Sequence, residues 1–127
     1  MVDGATGERL DAKQHPERNL KWLTLYQQVT YWISDEEIQI LEKNATNGDK
    51  NSAFKLYQYH MFVSLDQDSE FKWLEIAAKN GHPIAQFNLA DLFFTQGNKE
   101  KAIFWANKAY RNGAKLPEEL KILININ

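Results

Sequence analysis

Apolar residues recur along this chain at three- and four-residue steps, and an Asn-Gly pair interrupts them at near-regular intervals. From Pro83 onward, Phe87, Leu89, Ala90, Leu92, Phe93 and Phe94 mark one broad apolar face, as a packed helix requires. Pro83 suits a first helical residue, because its missing N–H would be unpaired there anyway. Gly97 stops that helix and Asn98 can cap the next, which carries Ala102, Ile103, Trp105, Ala106, Ala109 and Tyr110. The small residues Ala90, Ala102, Ala106 and Ala109 let the two helices approach closely. Asn112-Gly113 then closes the hairpin with a left-handed cap. The same pair stands upstream at Asn80-Gly81 and Asn47-Gly48, so the three glycines lie 33 and 32 residues apart. A fixed period in that range is the signature of helical repeat arrays. One period upstream, Ala53 matches Ala85, Tyr57 Leu89, Met61 Phe93, Trp73 Trp105, and Ala77 Ala109. A lone hairpin cannot bury both faces, so each needs a stacked neighbour.

The remaining segments fill in around this period. Residues 1–14 are polar and read as a flexible tail. Residues 16–33 read as a helix that is apolar around much of its circumference, through Leu20, Trp22, Leu23, Leu25, Tyr26, Val29, Tyr31, Trp32 and Ile33. Such a helix either covers the open end of a stack or forms an interface. Ser34 to Glu37 has the form of a capping box, with Glu37 free to reach back to the cap. A half unit follows over 35–48, then a helix over about 51–63, a turn over 66–69 and a helix to Lys79. A last short helix over 117–125 covers the far end with Leu120, Leu123 and Ile124. No linker or second domain is visible, so 15–127 reads as a single helical domain with full units at 50–81 and 82–113.

The run Gly81-His82, Ala85 to Ala90, Lys101-Ala102, Trp105, Lys108-Ala109 and Gly113 closely resembles a Sel-like repeat, a relative of the tetratricopeptide repeats. The match is weaker over 50–81, where Glu70 replaces the usual small residue and Leu65 to Asp68 replaces the glycine turn. The resemblance implies an all-α fold, a short right-handed α-solenoid, and a role in protein binding rather than a reaction. It also implies that the first helix of each unit lines the concave surface. On that register the partner-binding face comprises Lys55, Tyr59 and Phe62 from one unit, and Ile84, Phe87, Asp91, Phe94 and Thr95 from the next.

Composition narrows the chemistry. The 127 residues are 43% hydrophobic and 13% aromatic, enough for a packed core. The formal net charge of −2 gives no concentrated basic face for nucleic acid or an anionic membrane. No apolar run approaches the roughly 20 residues of a membrane span. The polar N-terminus lacks the apolar core of a signal peptide, which points to the cytoplasm, or to the periplasm had a leader been removed. Cysteine is absent, so disulfides and thiolate chemistry are excluded. His15, His60 and His82 lie at no metal-ligating spacing from one another, so no metal and no cofactor are expected. The acidic pairs Glu36-Glu37 and Glu118-Glu119 sit at helix starts, where they complement the helix dipole. Asp91 is either a solvated helix-edge residue or a charged anchor for a basic partner.

The sequence therefore predicts a non-enzymatic module, monomeric or weakly dimeric, that binds one protein. By analogy with short Sel-like repeat proteins of bacterial antagonism systems, the expected partner is a secreted toxin or effector. An adaptor in bacterial signalling or secretion is the competing binding reading. An enzyme using Asp91, His60 or the acidic pairs is the reading of another class, and it lacks a nucleophile–base arrangement.

Overall fold

Helix stops of a single kind set the layout of the chain in its computed structural model, which describes residues 28–125. At Gly81 the backbone adopts φ 98°, a conformation that side chains bearing a Cβ rarely reach. The Gly81 N–H donates to the Ala78 carbonyl and the His82 N–H to the Ala77 carbonyl, pairing two otherwise open helix-end acceptors. The same two-bond cap recurs around Gly48, Gly97 and Gly113. Three of these four turns then start the next helix with the residue after the glycine. Asp49 accepts from Asn51 N–H, His82 from Ala85 N–H, and Asn98 from Lys101 N–H.

The described residues form helices and their connecting turns, with no strand among them, so the fold class is all-α. Residues 28–31 are helical. There follow α1 (Asp35–Thr46), α2 (Lys50–Tyr59), a π-helical turn (His60–Ser64), α3 (Gln67–Lys79), α4 (Pro83–Thr95), α5 (Lys99–Arg111) and α6 (Glu118–Leu123). Each α-helix packs on its neighbour in sequence, most extensively α4 on α5 and α2 on α3, and α1 also reaches α3. No described helix is long and apolar enough to cross a membrane.

The core follows the period seen in the sequence. Ala53 and Ala85, Tyr57 and Leu89, Trp73 and Trp105, and Ala77 and Ala109 are all buried. Met61 packs partly buried against the same cluster that contains Phe93. Ala90, Ala102 and Ala106 leave no accessible surface, which is the close approach of α4 and α5 that small side chains permit.

Several local expectations are corrected. The helix expected over about 51–63 is α-helical only to Tyr59 and then widens into the π-turn. Leu65 ends it at φ 59°, taking the left-handed position that glycine holds in the other turns. The turn expected over 66–69 is already helix from Gln67, because Asp66 caps α3 by accepting from the Ser69 N–H and hydroxyl. The capping box at Ser34 is half formed. The Glu37 N–H donates to Ser34 Oγ at 3.2 Å, but the Glu37 carboxylate turns away to pair with Lys55. The last helix is shorter than 117–125, and Pro117 stands at its cap. The tail over 1–14 and most of the helix expected over 16–33, including Trp22 and Tyr26, lie outside the described residues.

Candidate partner-binding face

The eight residues expected on one face divide according to what each touches. Ile84, at the start of α4, is 51% exposed, and Asp91 and Thr95 are exposed further along the same helix. Thr95 Oγ1 donates to the Leu92 carbonyl, so its hydroxyl is engaged within the helix. Phe87 and Phe94 are half-buried and pack against the core cluster. Their helix turns these two rings partly inward while leaving Ile84 and Asp91 in solvent.

Around α2 and the π-turn the picture changes because residues 30–32 approach them. Tyr31 stacks on Phe62, with ring centroids 4.8 Å apart and planes 21° apart. Phe62 is thereby partly covered by this chain's own N-terminal helix end. Tyr59 packs edge-on against His60 at 5.1 Å. Lys55 Nζ lies 3.1 Å from Glu37 Oε2, a pair bridging α1 and α2. The pair is exposed and contributes little to stability, but it holds the ammonium in place.

This arrangement opens a cleft of about 350 Å³ between the 30–32 segment, α2 and the start of α4. Tyr31, Trp32, Phe54 and His82 give it aromatic walls, and Thr30, Asn51, Lys55 and Gln58 supply polar groups. Asn51, Lys55 and Gln58 follow one another at four and three residues, so they share one face of α2. Only Lys55 of these was foreseen on the face. The spacing of Asn51 and Gln58 around Lys55 is the sequence signal that could have found them. The approach of Trp32 carries no such signal, because it depends on where a separate segment crosses α2.

His82 forms the cleft's far wall and has two structural tasks. Its Nδ1 accepts from the Ala85 N–H at 3.3 Å, capping α4, and its ring stacks on Phe54 at 4.1 Å. Burial, reinforced by the nearby Lys50 charge, lowers its pKa below the usual imidazole value. The ring is therefore neutral at pH 7, as an accepting Nδ1 requires.

A second histidine lies outside the cleft. His60 Nδ1 lies 2.7 Å from Ser64 Oγ, and that hydroxyl also accepts from the Asp66 N–H. Burial lowers the pKa of His60 as well. The pair joins the two ends of one π-turn, and Ser64 is engaged as the acceptor that shapes the exit to α3. Among the described residues no group of three or more His, Cys, Asp or Glu is placed to hold a metal ion. The cleft thus combines aromatic walls with side-chain amides and one ammonium.

No family model matches the chain. Over 92 residues, 67% of its length, the chain is 34% identical to the uncharacterized protein YibG of Escherichia coli K12, covering 60% of that protein. Over 64 residues, 50% of its length, it is 38% identical to chitin synthase regulatory factor 4 of Schizosaccharomyces pombe, covering 10% of that protein. The chain thus spans less than two thirds of the one relative and a small part of the other. No solved structure matches it.

Proposed function

We propose that this chain is a short Sel-like repeat protein, a right-handed α-solenoid, that binds one dedicated protein partner along the first helices α2 and α4 and thereby inhibits it. The observation that carries this reading is the aromatic cleft of about 350 Å³ at the head of that face, with Lys55, Asn51 and Gln58 along its side. Ile84 and Asp91 extend the face along α4 as an exposed apolar anchor and a charge. Shared burial at positions one period apart, as in Trp73 and Trp105, supports stacked repeats.

By analogy with short Sel-like repeat proteins of bacterial antagonism systems, the reading is an immunity protein that neutralises a secreted bacterial toxin or effector, acting in the cytoplasm. The competing reading, an adaptor or regulator in signalling or secretion, draws on one name: the S. pombe relative is called a regulatory factor of chitin synthase, though the chain matches 10% of it. Both readings place the chain's work in binding rather than in a reaction.

The immunity reading is tested by expressing the neighbouring reading frame. Alone it should arrest growth, and co-expression of this chain should restore it. Calorimetric titration should then give a complex that Ile84→Asp or Asp91→Lys weakens by about tenfold or more. A harmless neighbour, with capture of a kinase or secretion component instead, would favour the adaptor. A complex indifferent to both substitutions would move binding off this face.

A further inference from the structure

The outer side of α5 carries a second surface, and none of the residues lining the cleft belongs to it. Ala102, Trp105, Ala106 and Ala109 are buried and define the inner side of the helix. Lys101, Phe104, Lys108 and Arg111 follow at steps of three, four and three, so they run along one outer stripe. At 1.5 Å per residue the stripe is roughly 15 Å long. All four are exposed, and Phe104 is 52% exposed, a high value for a phenylalanine on a packed helix.

The aromatic and the cations are organised together. Phe104 stands edge-on against Trp105, centroids 5.0 Å apart at 88°, so a buried ring braces the exposed one. Lys108 Nζ lies 5.2 Å from the Phe104 ring centre, and Lys101 Nζ lies at the same distance from Phe93. Each ammonium of these exposed lysines thus lies over a ring face, which holds the charge close to an aromatic. Among the described residues, ion pairs form at Lys55, Lys79 and Lys121, and none of the α5 cations has a carboxylate partner. Helix α5 holds Lys99, Lys101, Lys108 and Arg111 against Glu100 alone, in a chain whose net charge is −2.

We propose that this stripe binds an acidic protein segment in which carboxylates flank an aromatic or other apolar residue. Carboxylates complement Lys101, Lys108 and Arg111, and the guanidinium can take one of them bidentately. The apolar residue would bury against Phe104, the kind of aromatic that anchors interfaces. A partner made of charge alone would leave Phe104 unused.

The test is a nitrogen-15 amide-shift titration of the full chain with a capped peptide carrying one phenylalanine between two pairs of glutamates. Shifts should fall on α5 and fade with added salt. The double substitution Lys101→Glu with Lys108→Glu should weaken binding by about tenfold or more, and Phe104→Ala several-fold. Ile84→Asp, on the other face, should leave it unchanged, which separates this surface from the one on α2 and α4. Circular dichroism of each variant checks that the helices persist. Shifts on α2 and α4 instead of α5, unchanged binding by the double variant, or equal binding of polyglutamate would overturn the proposal. So would tighter binding of oligo(dT) or of phosphatidylglycerol vesicles than of the peptide.

Discussion

Gln86 reaches from α4 into the space between two helix ends. It is 2% exposed, its Nε2 donates to the Ala78 carbonyl at 3.0 Å, and its Oε1 accepts from Asn112 Nδ2 at 2.9 Å. One side chain thus ties the end of α3 to the end of α5. Gln86→Ala removes both bonds and leaves a void, so urea unfolding should show a loss of about 2 kcal/mol. Gln86→Leu should cost less than half of that. The Ala78 carbonyl keeps its bond from the Gly81 N–H, and Asn112 is exposed and can turn to water. Equal losses for the two variants would mean that hydrogen bonding, not volume, dominates the site. Gly81 and Leu65 make a second pair of opposites. A Cβ at Gly81 meets no atom within 4 Å, so Gly81→Ala should cost about 1 kcal/mol through backbone strain alone. At Leu65 that strain is already present, and the residue is 42% exposed. Leu65→Gly should stay within about 1 kcal/mol of the parent, because relief of about 1–2 kcal/mol offsets the roughly 0.5–1 kcal/mol of extra chain entropy and part of the lost burial. Thermal melting of both variants checks these magnitudes.

At the scale of elements, the starts of α2, α3, α4 and α5 rest on side-chain caps of different acid sensitivity. Asp49 and Asp66 cap α2 and α3, and hydrogen bonds from the Ser52 and Ser69 hydroxyls lower their pKa values. Those caps persist well below neutral pH. The α4 cap is different, because His82 can accept from Ala85 only while neutral. Its pKa is lowered in the fold, chiefly by burial, so the unfolded chain binds a proton first as pH falls. The stability it contributes is fully present above the usual 6.5 and is lost as pH drops toward the folded value. His60, also lowered by burial, acts in the same direction. The urea midpoint should therefore fall between pH 7.5 and pH 5. His82→Asn should flatten part of that fall, because asparagine caps without titrating. An unchanged slope in the variant would assign the whole effect to His60.

At the scale of the whole molecule, the proposed binding face and the core share residues. The sequence register puts Phe87, Asp91 and Phe94 on one outward face, and on that register truncating the two phenylalanines weakens binding much more than it lowers stability. Both rings pack against the core cluster, so each alanine variant should lower stability by about 2 kcal/mol or more, besides any loss of binding. Ile84→Asp and Asp91→Lys are the cleaner probes, since both positions are exposed. Their melting temperatures should stay near that of the parent while affinity falls. Were both to melt early, the face would belong to the core, and binding would belong to the cleft around Trp32. The eight-residue face was legible as a set of helix positions. Its division into buried and exposed members was not, because a helix with mean apolarity as high as α4 has several directions in which it could turn.

The sequence by itself determined the helices of α1 and α3 to α6, their stops and most of their caps. Those features are local: the glycine at each left-handed turn, the capping residue after it, and the three- and four-residue steps of the apolar set all lie within one or two turns of chain. It also marked positions of matching burial, since Trp73 and Trp105, and Ala77 and Ala109, lie one period apart and are all buried. Tertiary structure alone decided the rest. It turned the Glu37 carboxylate from its own cap to Lys55, 18 residues away, because an ammonium at 3.1 Å competes well with an N–H. It set Tyr31 over Phe62, and so opened the cleft beside α2, through the crossing of segments about 30 residues apart. It joined Gln86 to Asn112 across 26 residues. Contacts of that range depend on how helices stack, and no periodicity within a helix encodes the angle at which its neighbour arrives.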